Sequence, residues 1–438
     1  MNLSQWLDRI EQLHPKSIDM GLERIGAVAG RLGIKRPARR VITVGGTNGK
    51  GSTVAFIEAI GRAAGWRVGA YTSPHLLAYN ERIRIDGVDA EDATIVAAFE
   101  AIEAARGDTP LTYFEYGTLA ALWLFQRADL DLAVLEVGLG GRLDATNVVD
   151  PDVAAITTVD VDHQDYLGEG REAIGHEKAG IARAWKPLVL GDDDPPSSVL
   201  RHAYSIAAKT LRIGCDFFVD LPGGTGSEPD DSHAVAARQW RWREVGHRID
   251  LPLPRLAGQM QLRNAAVAIA ALRALDKSPP DRAVVQGVAD ARIRGRLQRF
   301  ERDGVDVVVD VGHNPQAAHA LADWLAATPV VGKTHAVYAA LVDKDLVGAV
   351  SALATSVDHW HLAGLATHAP RGVNVEDFAI RLAGTAAEAG QRHDTVDHAL
   401  DAALALASPG DRVLVFGSFH TAAEALTLLE QASPTPPS

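Results

Sequence analysis

The sequence predicts an α/β protein of two domains: an N-terminal phosphate-loop domain on a mainly parallel sheet, and a smaller C-terminal α/β domain of Rossmann-like type. Three observations carry this reading. Short β-branched runs alternate with helical stretches, as in strands joined by crossover helices. The first such run, Val41-Ile-Thr-Val44, opens into a glycine-rich turn that leads straight into a helical stretch. A second round of alternation begins near residue 292, and 438 residues exceed one ordinary core on the usual scale of roughly 100–200 residues per domain.

The elements follow in order. Met1–Leu13 is amphipathic, carries acidic residues and lacks the core of a signal peptide. Strands are expected at Val41–Val44, Val68–Tyr71, Leu132–Glu136, Val153–Thr158 and Pro187–Leu190. Residues 191–250 read differently: Gly191-Asp-Asp-Asp-Pro-Pro196 and the glycine- and proline-rich stretch 221–231 mark loops around short strands, a peripheral hairpin region. A helix over Gln261–Leu275 precedes the second pattern, whose strands are expected at Val305–Asp310, Thr334–Ala340, His359–Leu362 and Arg412–Phe416. The domains are therefore 1–291 and 292–432, with the proline-rich tail 433–438 expected to be disordered.

Composition excludes several classes. A hydrophobic share of 47% supports a buried core, and 43 Lys plus Arg against 56 Asp plus Glu leave a net charge of −13, which argues against nucleic-acid and anionic-membrane surfaces. The single Cys215 makes neither an internal disulfide nor a cysteine zinc site. Alanine-rich runs such as Asn264–Leu275, broken by Arg273, fall short of the roughly 20 apolar residues of a membrane span. A cytoplasmic protein acting on small molecules is the expectation.

The chemistry concentrates after the first strand. Glycines 45, 46, 49 and 51 let backbone N–H groups crowd an anion, so Thr47, Asn48, Gly49, Lys50, Gly51 and Ser52 form the candidate phosphate cradle. Lys50 reaches the β and γ phosphates, and Ser52 or Thr53 approaches a Mg²⁺ ion. The loop is a variant, since Val44 replaces the first glycine of the usual pattern and Gly51 separates Lys50 from Ser52. Ser73, Glu136 and His163 each follow or end a strand, where open α/β sheets bind ligands, and a hydroxyl, a carboxylate and an imidazole suit a divalent ion. Gly138-Leu-Gly-Gly-Arg-Leu143 is no dinucleotide fingerprint, because position 143 is leucine; its glycines are expected to let the backbone approach a substrate.

Together, Val44–Ser52, Thr72-Ser-Pro-His-Leu76, Tyr79-Asn-Glu-Arg-Ile83, Leu111–Thr118, Glu136–Asn147, Glu177-Lys-Ala-Gly-Ile181, Asp310-Val-Gly-His-Asn-Pro315 and Gly417-Ser-Phe-His420 resemble the folylpolyglutamate synthase family of the Mur-ligase superfamily, in its bifunctional dihydrofolate-forming branch. The resemblance runs from about residue 16 to 421 and implies an ATP-dependent amide ligase that joins L-glutamate to dihydropteroate and to reduced folates through an acyl phosphate. It places the metal ligands on Ser73, Glu136 and His163, and implies that Lys178 is carbamylated by CO₂ and holds a second Mg²⁺. It adds ATP contacts at Asn264, Arg296 and Asp310, and a second domain that closes over the nucleotide. His313 joins Lys50, Lys178 and Asp310 as candidate catalytic residues, with Ser418 and His420 on the glutamate side. Ile18, Asp19 and Met20, with Thr112, Leu143, Asp144 and Ala145, are implied at the pterin. A monomer is implied, and K⁺ is a further ion whose requirement the residues leave open. Gly46 stands where the family often has alanine, an exchange expected to be harmless.

Several residues also carry plain structural readings. Asp19 suits the N-cap of a helix over Met20–Val28, Asp310 and Asn314 suit an Asx turn and a helix start, and Lys178 suits a surface lysine paired with a glutamate. Three rival functions stand beside the bifunctional one: a folylpolyglutamate synthase that only extends tails, a Mur-type cell-wall ligase, and a nucleotide-dependent switch or motor.

Overall fold

The computed structural model describes residues 1–14, 16, 18–221, 239–366 and 372–431; the tail 433–438 and most of the turn-rich stretch 221–231 lie outside them. The chain divides into two compact units, residues 1–255 with 261–292, and residues 256–260 with 293–438.

The first unit is built on an eight-stranded sheet: β1 Arg40–Gly45, β2 Val68–Tyr71, β3 Ile83–Ile85, β4 Val88–Asp89, β5 Leu132–Glu136, β6 Val153–Ile156, β7 Pro187–Leu190 and β8 Lys209–Arg212, in the order β4-β3-β2-β5-β1-β6-β7-β8. All pairs are parallel except β2–β3 and β3–β4, which add an antiparallel edge. Register aligns the carboxyl ends, with Val44 opposite Glu136, Gly45 opposite Ile156 and Tyr71 opposite Leu135. The expected strand Val153–Thr158 stops at Ile156. Thr157 and Thr158 instead fasten the loop after β1: Thr47 N donates to the Thr158 carbonyl at 2.8 Å, and Thr157 Oγ1 donates to the Asn48 carbonyl at 2.5 Å.

The helix Lys50–Ala63 is buried along Val54, Phe56, Ile57 and Ile60, each fully enclosed and each contributing roughly 1.5–3 kcal/mol of transfer free energy. A second helix, Asp281–Asp290, crosses it closely at Gly287, where a Cβ would lie 2.4 Å from Ile60 Cα. The region 191–250 holds more than hairpins, because it supplies the helix Ser197–Ser205 and the edge strand β8. Its hairpin, β10 Gln239–Glu244 with β11 His247–Pro252 beside β9 Phe217–Asp220, buries Trp240 and Trp242, and Trp242 donates its indole N–H to the Ala266 carbonyl at 3.3 Å. The hairpin is thereby fastened to the helix Gln259–Arg273.

The second unit has a six-stranded sheet: β12 Gln298–Arg302, β13 Val305–Val309, β14 Thr334–Tyr338, β15 His359–Ala363, β16 Gln391–His393 and β17 Arg412–Phe416, ordered β12-β13-β17-β14-β15-β16. Only β12 pairs antiparallel. Its core stacks Tyr338 on Phe416, ring centroids 4.6 Å apart, over Leu362 and Leu414. Among the described residues, no helix is long and apolar enough to cross a membrane.

Candidate active site

Parallel register brings the ends of β1, β2, β5 and β6 to one edge of the first sheet, and the candidate phosphate loop stands there. Thr47 and Asn48 turn their amides to the Thr158 carbonyl and hydroxyl, at 2.8 and 3.1 Å, so these two N–H groups hold the loop. The helix behind it starts at Lys50 after Gly49, which has φ +87° and offers no side-chain cap; its first amides point along the dipole at the position an anion would take. A Cβ on Gly49 would lie 2.4 Å from Asn264 Oδ1, which places the expected ATP contact Asn264 against the loop. Gly46, at φ +146°, is a stricter requirement than its sequence suggests: a Cβ there would lie 1.9 Å from Thr157 Oγ1, itself engaged with the loop. Lys50 Nζ donates to the carbonyls of Gly46 and Thr47 at 3.0 and 3.2 Å. Behind it, the hydroxyls of Ser52 and Thr53 are buried and have no hydrogen-bond partner among the described residues.

At the same edge, Glu136 ends β5, buried, and accepts from the Ser73 amide at 3.3 Å. His163 sits at φ +53°, a conformation costly for a non-glycine residue and found at functional positions, with Asp162 accepting from its amide at 2.9 Å. Among the described residues no group of three or more His, Cys, Asp or Glu side chains is disposed to hold a metal. A divalent ion at this edge would take part of its coordination from hydroxyls, waters or phosphate oxygens, as a phosphate-bound Mg²⁺ does.

Lys178, on the helix Gly170–Ala179, is only 4% exposed, so the surface-pair reading fails; its neighbour Glu177 pairs instead with Arg142 at 2.8 Å. Burial, then repulsion from the Lys50 ammonium, pull the Lys178 amine down from 10.5 to about 7, with Asp162 and Asp144 opposing. Gly141 lets the backbone approach this helix closely: a Cβ there would lie 2.8 Å from the Glu177 carbonyl and 3.1 Å from Lys178 Cα.

The residues expected at the pterin share one neighbourhood. Gly21 N donates to the Leu143 carbonyl at 3.2 Å, joining the 18–20 segment to Leu143-Asp-Ala145, and Met20 lies against Gly140. Asp19 does not cap a helix, because the helix starts at Glu23; its carboxylate takes Arg24 at 2.5 Å and Lys16 at 3.3 Å. Burial acts to raise its pKa, but Lys16, Arg24 and His14 outweigh it and hold it below the usual value. Arg24 also reaches Glu115 at 3.3 Å, and Glu115 closes a capping box with Thr112. Asp144 is buried, which pushes its pKa up, and it accepts from the Gly138, Leu139 and Thr146 amides and the Thr146 hydroxyl. Its carboxylate therefore shapes the loop that carries Leu143 and Ala145.

In the second unit, the turn and helix-start readings of Asp310 and Asn314 both hold. Asp310 accepts from Gly312 N at 2.7 Å and Leu297 N at 2.9 Å, and Asn314 caps the helix Pro315–Ala327. Burial raises the Asp310 pKa against the Arg296 charge and these amides. Arg296 lies over the Phe419 ring at 5.4 Å and His313 beside it at 6.2 Å, which gathers Arg296, Asp310, His313 and the Ser418–His420 segment. Ser418 commits its hydroxyl to Thr421, accepting from its amide at 3.0 Å at the start of the helix Phe419–Gln431.

Residues 44–272 match the Mur ligase middle domain, and residues 295–419 the Mur ligase glutamate ligase domain. The chain is 44% identical to a dihydrofolate synthase/folylpolyglutamate synthase of Escherichia coli strain K12, over 98% of this chain and 96% of that one. A solved Escherichia coli FolC in complex with DHPP and ADP superposes with a TM-score of 0.89 at 44% identity, covering 98% of each chain. A bifunctional folylpolyglutamate synthase/dihydrofolate synthase with Mn, AMPPNP and L-glutamate bound superposes with a TM-score of 0.88 at 42% identity, again over 98% of each.

Proposed function

The chain belongs to the dihydrofolate synthase/folylpolyglutamate synthase family of Mur ligases, and on that premise we propose how its residues divide the work. The protein is an ATP-dependent amide-forming ligase that joins L-glutamate to dihydropteroate, giving dihydrofolate, and to tetrahydrofolate polyglutamates.

A carboxylate is a poor electrophile, so the first step is phosphoryl transfer: a carboxylate oxygen bonds the γ-phosphorus of ATP as the bridging bond to ADP breaks. The glutamate amine then attacks the acyl carbon, the bond to phosphate breaks, and phosphate and a proton leave. Lys50 stands where it offsets charge on the transferring group, and the helix amides behind Gly49 receive the phosphates. Ser52, Ser73, Glu136 and His163 would hold Mg²⁺, a fit supported by the buried Ser52 hydroxyl, without a partner among the described residues, and by the contact of Glu136 with the Ser73 loop. When bound, that ion supplies charge neutralisation on the phosphates.

Carbamylation of Lys178 is part of this reading. CO₂ adds to a neutral amine, forming an N–C bond with loss of a proton, and a pKa near 7 supplies that amine at neutral pH. The resulting anion answers the nearby Lys50 ammonium and provides oxygens for a second Mg²⁺; an ammonium has none. Asp19, Thr112 and Leu143–Ala145 are assigned to the pterin, Arg296 to a phosphate, Asp310 to ribose or ammonium donors, and His313 and His420 to glutamate. The family resemblance supports a monomer and makes K⁺ an ion to test by exchange with Na⁺.

The observation that carries this reading is the convergence on one sheet edge of the loop lysine, the Ser73–Glu136 pair and a buried lysine of lowered pKa. The test is phosphate release with ATP, Mg²⁺ and glutamate, run separately with dihydropteroate and with tetrahydrofolate, and with product masses recorded. Activity on both is expected. Tetrahydrofolate alone would make the protein a tail-extending synthase, and activity on neither would overturn the assignment.

A further inference from the structure

Two arginines two residues apart, Arg82 and Arg84, are treated differently by the fold. Arg84 donates to Glu58 from Nη2 at 2.9 Å and from Nε at 3.0 Å, an ordinary charge pair. Arg82 is 9% exposed, yet its Nε donates only to the His75 imidazole, at 2.8 Å. Its guanidinium lies over the rings of Tyr79 at 5.3 Å and Tyr113 at 5.4 Å. Among the described residues, its terminal nitrogens have no hydrogen-bond partner and no carboxylate lies within ion-pair distance. A cation taken out of water without a counter-charge is costly, and two tyrosine faces offset that in part.

The surroundings say what would complete it. Tyr113 follows Thr112, one of the residues expected at the pterin, and His75 lies on the loop whose Ser73 amide meets Glu136. Arg82 thus stands between the pterin neighbourhood and the edge where a carboxylate is activated. Aromatic walls beside a cation suit a benzoyl group bearing a carboxylate better than free glutamate, which offers no ring. The phosphates of ATP already have the loop after β1. We propose that Arg82 is the docking cation for a carboxylate of the folate-side substrate, an inference that rests on the ligase reading above. The anion is the benzoate carboxylate of dihydropteroate or a carboxylate of the terminal glutamyl group of tetrahydrofolate.

The experiment uses the full-length protein with Arg82→Gln and Arg82→Lys, and measures affinities for pteroate, its carboxamide, tetrahydrofolate, MgAMPPNP and glutamate. A hydrogen-bonded charge pair of this kind corresponds to about tenfold or more in affinity. Arg82→Gln is therefore expected to weaken a folate-side ligand about tenfold, with MgAMPPNP and glutamate changed less than about twofold, and Arg82→Lys to recover part of the loss. Loss on both pteroate and tetrahydrofolate identifies the benzoate carboxylate; loss on tetrahydrofolate alone identifies the glutamyl one. In the first case the wild type discriminates pteroate from its carboxamide and Arg82→Gln no longer does. A folded Arg82→Gln protein that keeps both folate-side affinities, or loses nucleotide or glutamate instead, overturns the proposal. If the glutamine variant does not fold, Arg82→Lys and the wild-type ligand series decide: unchanged tetrahydrofolate binding by the lysine variant, with equal wild-type affinity for pteroate and carboxamide, overturns it. A wild type that binds neither pteroate nor tetrahydrofolate overturns the ligase reading itself, and the proposal with it.

Discussion

Replacing Lys178 by methionine should stabilise the metal-free, CO₂-free protein while abolishing ligation. The side chain is buried, and its amine falls from 10.5 to about 7 through burial and the neighbouring Lys50 charge. Between those two values the unfolded chain binds a proton that the folded chain does not, so the native state is penalised at low pH and relieved as pH rises. At 1.36 kcal/mol per pH unit the penalty is about 4 kcal/mol at pH 7, and it vanishes above about pH 10.5. Methionine keeps the length and apolar bulk without the charge. Urea unfolding of the first unit, followed at pH 6, 7.5 and 9, should show Lys178→Met more stable than wild type, with the gap narrowing as pH rises. A variant less stable at pH 7, or a gap that does not change between pH 7.5 and 9, would refute the reasoning, because either result means the lysine is not a buried, disfavoured cation.

Gly46→Ala should lower both stability and nucleotide affinity, the former by about 2–4 kcal/mol from backbone strain and the clash with Thr157. Adding Thr157→Ala, which removes the oxygen 1.9 Å away, should restore part of the stability in thermal unfolding. Arg24→Gln unfastens Asp19 from Glu115 and should raise the KM for dihydropteroate roughly tenfold while leaving that for ATP unchanged, as steady-state kinetics would show. In the second unit, burial and then the neighbouring charges of His393, His335 and His359 lower the pKa of His361 from 6.5 to about 4. The unfolded chain therefore binds the extra proton between those values. The unit should lose stability as pH falls from 6.5 toward 4, and His361→Gln should flatten that slope in pH-dependent denaturation.

The residues that announced themselves in the sequence are those whose function depends on local order. Strand, glycine turn, lysine and helix stand in line from Val41 to Ala63, and the strand-end positions of Ser73 and Glu136 follow from the β-branched runs alone. What escaped depends on partners distant in the chain. Thr157 and Thr158 read as strand but close the phosphate loop more than a hundred residues away. Arg24 and Glu115 are 91 residues apart, and only the fold shows one bracing the other. Arg82 and Arg84 are alike in sequence, and only the fold shows that the second has a carboxylate and the first an imidazole. Asp19 suits a cap by residue type, but the helix begins at Glu23, after Gly21 has turned to meet Leu143. Asp144 and Ser418, expected at the pterin and on the glutamate side, also hold the loop or helix they begin, which their sequence neighbours do not show. The span 191–250 hid a helix and an edge strand behind its turn-rich composition.

The most direct test of carboxylate activation at this sheet edge is oxygen transfer. Dihydropteroate carrying ¹⁸O in both carboxylate oxygens is supplied with ATP, Mg²⁺ and glutamate, and the released phosphate and the dihydrofolate are weighed. One labelled oxygen is expected in each phosphate and one is expected to remain in the new amide. Unlabelled phosphate would mean that water, not the carboxylate, takes the phosphoryl group, and would contradict it.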